Sequence, residues 1–115
     1  MRVQLSGPVT GLPDRNSAAF ADARLAIERM ASACGVEVEV FDPTERVPEG
    51  ASHAQAMRQC LSWLVGGCDV LAQLDGCSGS KGATVEAAVA ASVGARVMGV
   101  GSLLLSMPSM GGGRG

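Results

Sequence analysis

Four short apolar runs of strand length alternate with three helical stretches along this chain, and this alternation is the strongest constraint on its fold. The strand-like runs are residues 1–5, 36–41, 69–74 and 96–100, and the helical stretches between them are residues 18–34, 52–65 and 83–93. Each helical stretch is long enough to carry the chain from one strand to a parallel neighbour. The order β-α-β-α-β-α-β predicts an α/β domain with a doubly wound parallel sheet between two helical layers.

The expected sheet has four or five strands in the order 2-1-3-4(-5). The strand at residues 36–41 alternates polar and apolar side chains, which is typical of a sheet edge. The apolar segment 102–107 fits a short helix, a fifth strand or a contact with a second subunit. We expect a single domain over residues 1–107, followed by a flexible glycine-rich tail at residues 108–115.

Composition argues against several classes of partner. The chain of 115 residues has a net charge of −2 and few aromatic side chains, and its eight arginines and one lysine are scattered. A nucleic-acid-binding surface requires clustered basic residues and, for single strands, stacking aromatic rings. We therefore expect no nucleic-acid partner and no membrane contact.

The cysteines and the histidine suggest no metal site. No two of the four cysteines have C-x-x-C spacing, and His53 is the single histidine. Metal sites need several ligands at fixed spacing, so a surface or capping role for His53 is the simpler interpretation. We expect no bound cofactor. Because no secretory signal or long apolar span is evident, we also expect a cytoplasmic location with reduced thiols.

Glu86 is a lone carboxylate on a helix made mostly of alanine and valine. No basic residue lies three or four positions away to pair with it. A helix that is apolar on nearly every face is usually buried, which predicts a poorly solvated Glu86 with a raised pKa. The alternative is a first-turn glutamate that is favoured by the helix dipole and points to solvent.

Two loops rich in small residues emerge at the carboxyl ends of the first and third strands. In a doubly wound sheet these two ends flank the ligand-binding crevice. Glycine and serine let backbone N–H groups approach an anion closely, and the alanine-rich helix adds its N-terminus to the same place. These donors favour a phosphate or sugar ligand. Neither loop is a dinucleotide-binding fingerprint or a P-loop. The candidate binding residues in the two loops are Ser6, Gly7, Val9, Gly11, Ser78, Ser80 and Gly82.

Three segments resemble the nucleoside 2-deoxyribosyltransferase-like superfamily over roughly residues 1–100, and the small phage and prophage branch of it most closely. These segments are Leu5-Ser6-Gly7-Pro8-Val9-Thr10-Gly11-Leu12-Pro13-Asp14, Cys68-Asp69-Val70-Leu71, and Ser80-x-Gly82-x-x-x-Glu86-x-x-x-Ala90. The resemblance implies a flavodoxin-like or Rossmann-like fold. It also implies a homodimer or larger assembly in which a neighbouring subunit completes the site.

The activity that the resemblance implies is cleavage or exchange of the N-glycosidic bond of a nucleoside or its 5′-monophosphate. Glu86 matches the family's nucleophile, Ser80 is similar to a serine near the phosphate, and Ser6, Gly7 and Val9 match the loop that lines the base and sugar pocket. Asp42 follows the second strand at the same crevice.

One position departs from the family pattern. The enzymes have an aspartate on the second helix that assists proton transfer, whereas this chain has Gln59 or Cys60 there. Asp14 or water would then have to protonate the leaving base. Two alternatives to an enzyme stay open, namely a nucleotide-binding module without turnover and a partner-binding domain.

Overall fold

The computed structural model describes residues 1–9 and 11–112 and forms a four-stranded parallel sheet between helices. The sheet has the order β2-β1-β3-β4. Two 3₁₀ turns, Pro13–Asn16 and Cys77–Gly79, lie in the loops after β1 and β3. The strands and α-helices in chain order are β1 (Arg2–Ser6), α1 (Ser17–Cys34), β2 (Glu39–Phe41), α2 (Pro43–Arg46), α3 (His53–Val65), β3 (Val70–Gln73), α4 (Lys81–Ser92), β4 (Arg96–Gly99) and α5 (Val100–Gly112).

The predicted doubly wound, three-layer α/β/α architecture is confirmed, with four strands in the expected order. Every neighbouring pair of strands is parallel. The fold is Rossmann-like. Among the described helices, none combines the length and apolar character needed to cross a membrane.

The two faces of β1 contact different layers because successive side chains of a strand point in opposite directions. Val3 and Leu5 are fully buried in the cluster that contains Phe20 of α1 and Leu103 of α5. Gln4 and Ser6 alternate with them and therefore face the opposite layer, formed by α3 and α4. This places two polar side chains under the helix that carries Glu86.

Local signals determine several helix ends. Gly35 adopts φ 70° and caps α1, as its position after the helical stretch predicts. At the start of α3, the Ser52 hydroxyl accepts a hydrogen bond from the Gln55 N–H, and the Gln55 side chain accepts one from the Ser52 N–H. This capping box orients α3, whose buried residues Cys60 and Leu64 face the sheet.

The structure resolves the apolar segment 102–107 as part of a helix. Leu103 and Met107 are fully buried, so α5 covers the core and continues to Gly112. Residues 108–112 are therefore helical where the sequence analysis places a tail. The last three residues of the predicted tail lie outside the described part of the chain.

Two other elements differ from expectation. β2 is three residues long, because the Val36 N–H bonds the Ala31 carbonyl beyond the end of α1 and the chain enters the sheet only later. The segment predicted as a polar loop after β2 contains the short helix α2. Its N-cap is Asp42, whose carboxylate accepts from the Thr44 N–H.

Candidate functional site

A cavity of about 760 Å³ opens at the carboxyl edge of the sheet. Its wall consists of the loop after β1, the segment from α2 to the first two turns of α3, and the first turns of α4. This volume is within the usual range for small-molecule sites. Because the lining includes the loop after β1 and the start of α4, which follows β3, the cavity lies at the topological switch between β1 and β3, where ligands of such sheets bind.

Glu86 forms part of the cavity wall and is only 6% exposed. Its Oε1 accepts a hydrogen bond from the Ser6 hydroxyl at 2.6 Å. Its Oε2 accepts one from the Gln4 amide nitrogen, Nε2, at 3.2 Å. Both donors come from the same face of β1. Because Glu86 is buried, its interpretation as a solvent-facing first-turn residue is wrong.

Burial raises the pKa of the Glu86 carboxyl, because the charged form is poorly solvated. Hydrogen bonds from Ser6, Cys60 and Gln4 act in the opposite direction, since they stabilise the carboxylate. The raised pKa agrees with the expectation from the alanine-rich helix. Glu86 is thus a carboxylate with reduced hydration and several hydrogen-bond donors.

Of Gln59 and Cys60, the two residues considered in place of the missing aspartate, Cys60 of α3 is the one that lies next to Glu86. It is 5% exposed and hydrogen-bonds Glu86, whereas Gln59 is exposed and donates to the Arg46 carbonyl. Burial, followed by the charge and hydrogen bond of Glu86, raises the pKa of Cys60 to about 12. Cys60 is therefore a neutral thiol that donates to the carboxylate. All four cysteines are free.

Most of the sequence-predicted site residues meet at the cavity. Those that line it are Ser6, Gly7, Val9, Gly11, Ser80, Gly82 and Glu86. Ser80 is also the N-cap of α4, where its hydroxyl accepts from the Ala83 N–H at 3.2 Å. The two loops therefore converge as the connectivity of the sheet predicts.

Asp42 and Ser78 are not part of the described cavity lining. Asp42 is 2% exposed, and its Oδ1 accepts from the Thr44 N–H and hydroxyl at 2.9 and 2.7 Å. Its Oδ2 lies 3.6 Å from the Arg24 Nε. These contacts occupy Asp42 as a helix cap and ion-pair partner, while Ser78 lies exposed in the 3₁₀ turn after β3.

Two glycines allow parts of the wall to approach each other. A Cβ at Gly7 would lie 3.0 Å from the Leu74 Cβ, and one at Gly82 would lie 3.2 Å from the Met57 sulfur. A side chain at Gly82 would also approach the His53 ring at 3.8 Å. The glycine of the second loop thus permits the close packing of α4 on α3.

Arg15 connects the loop after β1 to the opposite side of the cavity. Its guanidinium donates to the carbonyls of Val47 and Thr44 at 3.2 and 2.8 Å. Asp14, Arg15 and Asn16 all have positive φ values between 50° and 62°, a left-handed conformation that is unfavourable for residues with a Cβ. This turn places a cationic side chain in the wall.

Asp14 is not part of the described lining, although the sequence analysis considers it as an alternative proton donor. Its Oδ2 accepts a hydrogen bond from the Ser17 hydroxyl at 2.6 Å. The charged or titratable side chains that do line the cavity are Arg15, Glu49, His53, Cys60, Lys81 and Glu86. Within the described residues, no group of three His, Cys, Asp or Glu side chains could hold a metal ion.

Gln4 and His53 belong to the surroundings of the site although neither is among the residues predicted for it. Gln4 is the one amide in an otherwise apolar stretch of a central parallel strand, and that irregularity is a usable signal. His53 begins α3 and lines the cavity, which its isolation along the sequence does not indicate.

Comparison with known proteins identifies a family for this chain. No curated protein and no solved structure matches the chain. One family model does, and its match extends from the start of β1 to the end of β4. With residues 1–99 matched, the chain belongs to the family described as a domain of unknown function, DUF4406.

Proposed function

We propose that this protein cleaves or exchanges the N-glycosidic bond of a nucleoside or nucleotide, with Glu86 as the nucleophile. The observation that carries the proposal is a buried carboxylate in the wall of an open cavity, with hydrogen-bond donors at both oxygens. The resemblance of the two loops to nucleoside 2-deoxyribosyltransferase-like proteins supplies the reaction class.

The proposed reaction has two displacements. A carboxylate oxygen of Glu86 bonds to the anomeric carbon while the C–N bond breaks, and the electron pair of that bond leaves with the base, which takes up a proton. Water or a second base then attacks the same carbon, and the ester bond to Glu86 breaks. This is the logic of a retaining glycosidase, in which a carboxylate captures an oxocarbenium-like sugar.

The hydrogen bonds around Glu86 suit this role because the nucleophile must be ionised. Burial disfavours the charged form, whereas Ser6, Gln4 and Cys60 favour it. Low hydration leaves the carboxylate with less solvent to displace on attack. Cys60 hydrogen-bonds the Glu86 carboxylate, and Asp14 is not part of the described lining, so we assign protonation of the departing base to water.

A 5′-monophosphate suits the cavity better than an uncharged nucleoside. Arg15 and Lys81 line the wall, and the N-terminus of α4 contributes its dipole and backbone N–H groups near Ser80. Lys81 is the single lysine of a chain with net charge −2. We therefore propose a nucleotide as the preferred substrate.

The test is release of free base from a panel of deoxynucleosides and their 5′-monophosphates, followed by chromatography. We expect Glu86→Gln to lower the rate by about 10³-fold or more, since removing a nucleophile abolishes the covalent route. Glu49→Gln is the matched control, because Glu49 is an exposed carboxylate of the same cavity. Wild-type release no faster than that of Glu86→Gln would contradict the proposal.

A nucleotide-binding module without turnover is the second candidate, and Cys60 favours it. Cys60 is a neutral thiol at or next to the position where the enzymes that the chain resembles have an acid, and general acid catalysis typically contributes 10²- to 10⁴-fold. This candidate expects a nucleotide to raise the melting temperature without release of base. A panel with neither base release nor a melting shift would leave only the partner-binding alternative.

A further inference from the structure

Gln4 is a polar side chain in an apolar part of the sheet. It lies in the middle of β1, in register with Phe41 of β2 and Leu71 of β3, and has no exposed surface. Burial of an amide is unfavourable unless its hydrogen-bonding groups find partners. An apolar residue would be the usual choice at such a position in a parallel sheet.

Only one of the two polar groups of the Gln4 side chain has a hydrogen-bond partner among the described residues. Its Nε2 donates to Glu86 Oε2 at 3.2 Å, but its Oε1 has no partner among the described residues. A buried acceptor without a partner is destabilising. Gln4 thus supplies one donor to Glu86 while its own acceptor stays unsatisfied.

The two donors from β1 contact different oxygens of the same carboxylate. Ser6 bonds Oε1 and Gln4 bonds Oε2, and the two residues are neighbours on one face of the strand. One donor at each oxygen restricts rotation of the carboxylate about its terminal bond. Ser6 also lines the cavity, whereas the described lining does not include Gln4.

We propose that Gln4 is a positioning residue, whose amide orients the Glu86 carboxylate for attack on the anomeric carbon. This inference rests on the proposed N-glycosidic activity. Gln4 acts through Glu86 and does not touch the substrate, so its loss affects the chemical step and leaves substrate binding nearly unchanged. A misoriented nucleophile typically lowers the rate by about 10- to 100-fold.

The decisive variant is Gln4→Met, which keeps the size of the side chain and removes both the donor and the unsatisfied acceptor. We expect kcat to fall by about 10- to 100-fold while KM stays within about 2-fold. Two effects on the melting temperature oppose each other, because loss of the unsatisfied acceptor stabilises the fold and loss of the donor to Glu86 destabilises it. Leu5→Met is the control on the same strand, because Leu5 is equally buried but faces the opposite layer.

A second measurement does not depend on turnover. The Gln4 bond lowers the pKa of Glu86, so Gln4→Met should move the titration of the Glu86 side-chain carboxyl to higher pH. Carbon-13 NMR of labelled glutamate follows this titration, with Glu86→Gln to assign the signal. The other groups that hydrogen-bond Glu86 are Ser6 of β1 and Cys60 of α3, and Arg15, Glu49, His53 and Lys81 share the cavity wall. All of these remain in the variant.

The outcomes separate this inference from the proposed function. A wild-type protein that releases no base contradicts the proposed function, and the Glu86 titration then decides the assignment of Gln4. A shift toward higher pH in Gln4→Met then supports the contact through which Gln4 orients the Glu86 carboxylate, whereas an unchanged titration overturns it. Where wild-type base release is observed, unchanged kcat in Gln4→Met overturns the assignment. If Gln4→Met does not fold, the same criteria apply to Gln4→Leu.

Discussion

Glu86 combines two properties that oppose each other, a carboxyl group and nearly complete burial. Its pKa is raised because burial disfavours the charged form, and three donors only partly offset that effect. In its charged form Glu86 therefore lowers the stability of the fold. Residues that lower stability in this way are characteristic of functional sites.

The stability of Glu86→Gln should depend on pH in a defined direction. Since the pKa of Glu86 in the fold is above its ordinary value of 4.5, the folded state holds a proton that the unfolded state has lost between those two pKa values. Wild-type stability therefore falls as pH rises through this window and then levels off. The uncharged variant lacks this fall.

The measurement is the melting temperature of both proteins from pH 4 to pH 8. The variant minus wild-type difference should grow as pH rises above about 4.5 and then reach a plateau. A difference that stays flat or decreases with pH would contradict the assigned pKa direction.

At the scale of elements, α5 has more importance for the fold than the family match suggests. The match ends at residue 99, but Leu103 and Met107 of α5 are fully buried against the α1 side of the sheet. A domain cut at the end of the match would expose this part of the core. The helix is therefore an integral part of the domain.

A pair of leucine variants tests the contribution of α5. Leu103→Ala should lower the free energy of unfolding by about 2–5 kcal/mol, as expected for a fully buried leucine. Leu105→Ala should change it by no more than about 0.5 kcal/mol, since Leu105 is 84% exposed. Denaturant unfolding of both variants measures the difference. Equal effects would mean that α5 is not packed as described.

Periodicity and connectivity predict most of the elements and part of the site. The helical stretches and strands follow from periods of 3.6 and 2, and the parallel crossovers bring Ser6 and Glu86 to the same sheet edge. The sequence does not indicate α2, because that helix has only four residues and depends on the cap at Asp42. Neither does it show that Gln4 and Cys60 meet Glu86, since this requires the relative rotation of α3, α4 and β1.

At the scale of the whole molecule, the outer surface of α4 is unusually apolar. Val85 of α4 and the C-cap residue Val93 are 46% and 50% exposed, and Val97 of the edge strand β4 is 37% exposed. Apart from Lys81 and the buried Glu86, α4 has no charged residue. A surface of this kind is compatible with the homo-oligomer that the family resemblance implies.

Light scattering at several protein concentrations tests self-association. We expect a dimer or larger assembly, and Val93→Lys should shift it toward the monomer because a charge would be placed in the apolar surface. Leu25→Lys is the control, since Leu25 is 39% exposed on α1 in the other helical layer. A wild-type protein that is monomeric at high concentration would show the prediction to be wrong.

The hydrogen bond between Ser6 and Glu86 joins residues 80 positions apart. During synthesis at about 5–20 residues per second, β1 waits several seconds before the ribosome has produced α4. Until then Gln4 and Ser6 lack the Glu86 carboxylate as a partner, and the part of the cavity wall that α4 forms is absent. The site therefore cannot form before α4 has been synthesised, and ligand binding would report that the chain has folded at least through this helix.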